Sequence, residues 1–218
     1  MKEVAKKLPQ YEFQFVPTSD DDLLIGVESG KYDIGTKGAW KTPAREKKYI
    51  FPKNNIAASV IGVTIRKEDA NTIKNLDDFA KAGKKLVPIA PQNAQYQVIE
   101  DYNAAHPDHP VKLEASENFQ VADAYTWVLE GRYDGYFSIE LAYKKNVEAP
   151  DAPYKDFKDK LSYFRYKAIP TYTVINKNDK ELAEQVDKAL GELKQEGKIA
   201  ELENKYFGEE VSKLIDVK

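Results

Sequence analysis

One phrase occurs twice in this chain. Gly30-Lys31-Tyr32-Asp33 is echoed 101 positions later by Gly131-Arg132-Tyr133-Asp134, each time after a segment of helical spacing and before a short strand-like run. Glycine reaches the left-handed backbone conformation that stops a helix, so each copy reads as helix, stop, strand. A helix-stopping glycine ahead of a strand also arises by chance, but together with the pattern around it the echo suggests two similar lobes. The length of 218 residues suits one large domain or two small ones.

The surrounding pattern is α/β. Tyr11 to Val16 alternates like a strand, and Ser19 with Asp22 resembles a capping box for a helix through Ser29. Tyr32 to Gly35 reads as the next strand, which completes the rhythm of a parallel unit. Val4, Ala5 and Leu8 follow helical spacing with no capping residue ahead of them, like a helix entered partway along. Further strands are expected at Ala58 to Arg66, Lys85 to Ala90, Val111 to Glu114 and Ala168 to Asn176. Helices are expected at Ile73 to Ala80, from an Asn93 cap to Ala105, and at Lys180 to Glu196 and Ile199 to Phe207, split by Gly197. No low-complexity linker separates the halves, so two lobes must be joined by strands or tight crossovers.

Several kinds of chemistry are excluded. Lys and Arg (33) nearly balance Asp and Glu (36), a net charge of −3, so the overall field implies no polyanion and no nucleic-acid partner. No apolar run is long enough to span a bilayer and the opening residues lack the apolar core of a signal peptide, so the chain as written is expected to be soluble and untargeted. Without cysteine there is no disulfide, thiolate nucleophile or thiolate metal site. His106 and His109 form an H-x-x-H pair in a proline-flanked loop, but no third ligand is indicated and a solvated turn is the better reading. Gly26 to Tyr32 imitates a phosphate loop with the wrong spacing and no hydroxyl after the lysine, and neither G-x-G-x-x-G nor G-x-S-x-G occurs. The acid runs at Asp20 to Asp22 and Asp77-Asp78 suit helix starts better than acid–base catalysis. Neither a catalytic group nor a cofactor is expected.

The stretch from Lys37 to Pro52, "KGAWKTPAREKKYIFP", is more telling. Thr42 as N-cap and Pro43 at the first helical position place Arg45 in a helix's first turn, where a cation opposes the dipole. Such a position suggests an anionic partner beyond the strand that ends near Gly35, although a solvated surface arginine fits the local features equally well.

Leu23, Gly26 to Ile34, then Gly38-x-Trp40-x-Thr42-Pro43-x-Arg45 and Tyr49-x-Phe51 together resemble the type II amino-acid-binding proteins that deliver solutes to ABC importers, nearest to the Gram-positive cystine binders. The resemblance runs from Met1 to about Gly208. It implies a periplasmic-binding-protein-like II fold with mainly parallel sheets. Lobe one would be residues 1–57 and 171–218, lobe two 58–170, with a hinge that closes on a polar amino acid such as cystine. It implies that Arg45 clamps the ligand carboxylate as a planar fork, that Gly38 offers backbone groups, and that Lys37 and Trp40 line the pocket. Gln92, Asn93 and Ala94 would bring the free N–H groups of a helix start. The aspartate that relatives use for the ligand ammonium is matched by Ile139, which leaves Ser138 or Glu140 for that role. The resemblance also implies membrane subunits of an ABC transporter as partner and the extracellular membrane face as location, lipid-anchored in longer relatives. The chain is expected to lack the family's first strand, with completion by another copy through strand exchange. A cyclohexadienyl dehydratase-like enzyme using Glu140, or a surface adhesive protein, are the alternative functions on this fold.

Overall fold

The computed structural model describes residues 1–91, 93–116 and 121–215. In chain order the helices and strands are α1 (Lys2–Lys7), α2 (Asp20–Ser29), β1 (Ile34–Trp40), α3 (Pro43–Lys48), β2 (Tyr49–Ile50), β3 (Ala57–Arg66), α4 (Leu76–Lys81), α5 (Ala94–Ala105), α6 (Val121–Leu129), β4 (Gly135–Ile139), α7 (Glu140–Tyr143), β5 (Leu161–Asn176), α8 (Lys180–Gln195) and α9 (Lys198–Phe207). They divide into two units, Met1–Ser59 with Ala168–Lys218, and Val60–Lys167. The chain passes from one to the other within β3 and again within β5.

In the first unit the end of β5 is the central strand. It pairs antiparallel with β1, from Ile34 opposite Ile175 to Trp40 opposite Thr171, and with β2 through Tyr49 and Ile50. Successive strand residues face opposite sides. Ile175 therefore joins the cluster formed by Val4, Leu8 and the α8 stripe Leu182, Val186, Leu190 and Leu193, while Val174 joins Val27 of α2, Ala39 and Tyr49. The α2 start behaves as its sequence implies: Ser19 Oγ accepts from the Asp22 N–H at 3.2 Å, and Gly30 ends the helix at φ +81°.

The expected strand at Tyr11–Val16 does not form. Phe13 packs on the α8 cluster, but Phe15 and Val16 are 54% and 57% exposed and no ladder involves this stretch among the described residues. Alternation favours an extended backbone, yet a strand exists only where a neighbour takes its N–H and C=O groups. The next strand also shifts: the Tyr32 N–H returns to Gly26 O at 3.0 Å, so β1 starts at Ile34 and runs on to Trp40.

In the second unit β3 and β4 pair antiparallel, Ile61 opposite Ile139 through Ile65 opposite Gly135. The expected strands at Lys85–Ala90 and Val111–Glu114 are reduced to isolated parallel bridges, Lys85 with Lys112, Leu86 with Gly135 and Ile89 with Ala115. The ladder of β3 with β4 is antiparallel, and the parallel contacts of this unit are single bridges rather than the mainly parallel sheet expected. A tyrosine-rich core, with Tyr125, Tyr136 and Tyr143 among Val87, Val128, Val147 and Leu161, packs beneath α6. The helix expected at Ile73–Ala80 begins at Leu76, where Asn75 Oδ1 caps the Asp78 N–H at 2.8 Å. Asp134, from the second copy of the repeated phrase, accepts from the Lys85 N–H at 2.9 Å and pairs with Arg66 at 3.0 Å and Lys84 at 3.3 Å.

Candidate functional site

The first unit's candidates sit where β1 loses register with β5. Gly35 opposes Val174 and Ala39 opposes Tyr172, so β1 advances further than its partner and Thr36, Lys37 and Gly38 bulge out. Gly38 has φ +72°, which a side chain rarely tolerates, and the nearest atom to an added Cβ would be Thr171 Cβ at 3.6 Å. Lys37 Nζ pairs with Asp20 at 2.8 Å. Trp40 is buried, 8% exposed.

Beyond Trp40, α3 opens as its sequence implies. Thr42 Oγ1 accepts the Arg45 N–H at 3.3 Å and Pro43 occupies the first turn. This cap fixes where the Arg45 side chain departs, and Nη1 donates back to the Trp40 carbonyl at 3.0 Å. The half-buried guanidinium is thus held by one edge, while Nε and Nη2 have no protein partner among the described residues. A fork held in this way offers a parallel donor pair to a carboxylate. Gly38, Trp40 and Arg45 share the edge at which β5 enters this unit, because Trp40 stands opposite Thr171.

The second unit's candidates gather at an edge too. Leu86 bridges Gly135 in parallel, so the segment leading to Asn93 and the strand leading to Glu140 run the same way and end on the same side. Ligands of α/β sheets collect beyond such carboxyl ends. Asn93 caps α5, its Oδ1 accepting the Gln95 N–H at 3.0 Å, and Ala94 is the first helical residue. Gln92 lies outside the described residues.

Ser138 and Glu140 diverge. Ser138 is 2% exposed, its Oγ lies near the Tyr125 hydroxyl with no well-formed hydrogen bond among the described residues, and its carbonyl accepts the Tyr163 hydroxyl at 2.9 Å. Burial, aided by the nearby Glu140 charge, holds the Tyr163 phenol well above its ordinary range, so it serves as a neutral donor. Glu140 is gripped on both oxygens by Arg165, Nε to Oε1 at 3.0 Å and Nη2 to Oε2 at 2.9 Å, with Lys144 Nζ 3.5 Å from Oε2. Arg165 lies 25 residues downstream in β5, and Asp20, which holds Lys37, lies 17 residues upstream. Neither carries a local motif, so the sequence offered no signal for either partnership.

The two histidines are held by the fold. His109 Nε2 lies 2.7 Å from Asp77 Oδ1, while His106 Nδ1 lies 2.9 Å from Tyr102 O and its ring stacks on Tyr102. No group of three metal-ligating acids and histidines is present among the described residues. No helix among them is long and apolar enough to cross a membrane.

Known proteins resemble this chain over nearly its whole length. The L-cystine-binding protein TcyK of Bacillus subtilis is 27% identical over 220 residues, covering 98% of this chain and 75% of that protein. The crystal structure of a probable amino-acid ABC transporter extracellular-binding protein, also from Bacillus subtilis, superposes with a TM-score of 0.76 at 24% identity, covering 95% of this chain and 84% of that one. An ancestral arginine-binding protein bound to arginine superposes at 0.66 with 25% identity over 95% of this chain and 85% of that one. The fold is therefore that of type II periplasmic binding proteins, and with residues 1–209 matched, the chain belongs to the bacterial extracellular solute-binding proteins, family 3.

Proposed function

We propose that this protein is a receptor for a polar amino acid, cystine or a close relative, and hands it to the membrane subunits of an ABC importer at the outer face of the membrane. The observation that carries the reading is the Arg45 guanidinium, aimed by the Thr42 cap, anchored by its bond to the Trp40 carbonyl and left with a free donor edge. That edge takes the ligand's carboxylate. The N–H groups at the start of α5 and the bulged backbone at Gly38 supply further polar contacts, and Trp40 supplies an apolar wall. Of the two residues suggested for the ammonium, Ser138 has its hydroxyl enclosed in the core and Glu140 has both oxygens engaged by Arg165, so neither is assigned that contact.

Family membership and the cystine-binding relatives support a receptor over an enzyme. Glu140, the one acid suggested for a dehydratase, has both oxygens engaged by Arg165. Calorimetry with L-cystine and a panel of other amino acids tests the assignment. One amino acid is expected to bind with micromolar or better affinity, and Arg45→Ala to weaken it at least about a hundredfold, the scale of a lost charge-assisted bidentate pair. An unchanged affinity in Arg45→Ala would refute the role of this residue.

Two finer features belong to the same reading. One is attachment to the outer membrane face through lipid, as the family resemblance implies; the other is strand exchange. Tyr11–Val16 has ladder capacity and exposed Phe15 and Val16, and these support completion of the first unit's sheet by strand exchange between copies. Light scattering coupled to size-exclusion chromatography should show a dimer; a monomer with full ligand affinity would exclude the exchange.

A further inference from the structure

Beyond residue 209, where the family match ends, the chain makes a short 3-10 turn, Val211–Leu214, that is tied back into the first unit. Val211 is buried, and Ser212 meets a carboxylate from α9: its Oγ donates to Glu203 Oε1 at 2.5 Å and its N–H to Oε2 at 3.2 Å. Glu203 is only 3% exposed, a position where a charge is costly unless its oxygens accept hydrogen bonds. A carboxylate can only accept, so the Ser212 hydroxyl turns its proton to Glu203 and leaves its lone pairs to Asn55. Asn55 Nδ2 donates to that hydroxyl at 3.1 Å and to the Ala57 carbonyl at 3.0 Å.

Asn55 belongs to the segment that enters β3, and this segment borders the candidate site. Asn54 beside it is held by Asp187 of α8, whose Oδ1 accepts the backbone N–H at 2.7 Å and Nδ2 at 3.0 Å. The Ile56 N–H donates to the Thr171 carbonyl at 2.8 Å. Thr171 stands opposite Trp40, whose own carbonyl anchors Arg45, and its side chain is what a Cβ added at Gly38 would meet. From this continuous chain of bonds we infer that Glu203 and Ser212 are positioning residues for the ligand site: through Asn55 they fix the strand entry that sets Thr171, and with it the edge carrying Gly38, Trp40 and Arg45. They act through Thr171 rather than on the ligand. The consequence for affinity rests on the receptor reading above.

The experiment compares wild type with Ser212→Ala, Glu203→Gln, Ser212→Thr and Val4→Ala. Calorimetry uses L-cystine, L-glutamine and L-arginine as probes, and acrylamide quenching reads Trp40 fluorescence in a Trp127→Phe background. Val4 is a core residue of the same unit, 1% exposed and outside the network, so Val4→Ala lowers stability without loosening Asn55. Ser212→Ala and Glu203→Gln should weaken the best-bound probe about three- to tenfold and make Trp40 easier to quench. Ser212→Thr, which keeps the hydroxyl, and Val4→Ala should do neither. If Glu203→Gln fails to fold, Ser212→Ala decides alone. An affinity or a quenching in Ser212→Ala no different from that of Val4→Ala overturns the inference and leaves the receptor reading intact. If wild type binds no probe, the receptor reading falls and Trp40 quenching alone decides the positioning: a change in Ser212→Ala that Val4→Ala lacks supports it, and equal quenching overturns it.

Discussion

Substituting Gly62 by alanine tests how tightly the second unit is built around the strand that bears Arg165. A Cβ at position 62 would lie 1.9 Å from the Phe164 carbonyl oxygen, 2.9 Å from its carbon and 3.0 Å from the Arg165 Cα. Ordinary contact begins near 3.4 Å, so the two backbones must part by about 1.5 Å at this point. Because the obstacle is backbone, no rotamer change relieves it, and an overpacking cost of about 3 kcal/mol is expected. Gly131→Ala, in the same unit, is the control: the nearest atom to its added Cβ is Arg66 Nη1 at 4.0 Å, and its φ of +74° alone should cost about 1 kcal/mol. The two tryptophans fall one to each unit, Trp40 in the first and Trp127 in the second. In a Trp40→Phe background, urea unfolding followed by Trp127 fluorescence therefore reports on the second unit alone. The reasoning fails if Gly62→Ala costs no more than Gly131→Ala.

Other outcomes follow from buried polar groups in the same unit. The Tyr125 hydroxyl is fully buried, close to the Ser138 hydroxyl but without a well-formed hydrogen bond among the described residues, and burial pushes its pKa far above the ordinary phenol range. Tyr125→Phe should be neutral or stabilising by up to about 1 kcal/mol in urea unfolding, and a loss larger than that would reveal a bond the geometry does not show. Burial works to raise the Asp134 pKa, but the Lys85 N–H, Arg66 and Lys84 outweigh it and hold the carboxyl below its ordinary range. A depressed folded pKa contributes stability above the unfolded value, about pH 4, and loses it as pH falls through the folded one. Asp134→Asn should therefore narrow the stability difference between about pH 6 and about pH 3; an unchanged difference would show that the network adds nothing.

Features carried by local chemistry were legible in advance. The Ser19, Thr42 and Asn93 caps and the stops at Gly30, Gly131 and Gly197 each depend on a few neighbouring atoms, and each stands where the residues imply. The α8 stripe is equally local, since its spacing alone selects the buried face. The Thr42 cap and Pro43 start that carry Arg45 belong here as well, whereas the bond from its guanidinium to the Trp40 carbonyl was not foreseen.

What needed a partner from afar was not legible. Tyr11–Val16 alternates like a strand but finds no ladder, and Lys85–Ala90 and Val111–Glu114 shrink to bridges, because strand formation is decided by a neighbour's backbone rather than by the strand's own residues. The same holds for charge. Nothing near Glu140 in the chain announces Arg165, and nothing near Lys37 announces Asp20. By itself, then, the sequence determined the capped helix starts after Ser19, Thr42 and Asn93, the glycine stops and the resemblance that leads to the family. Only the tertiary structure decided which strands pair and which charges are already spoken for, since those energies arise between segments that folding alone brings within reach.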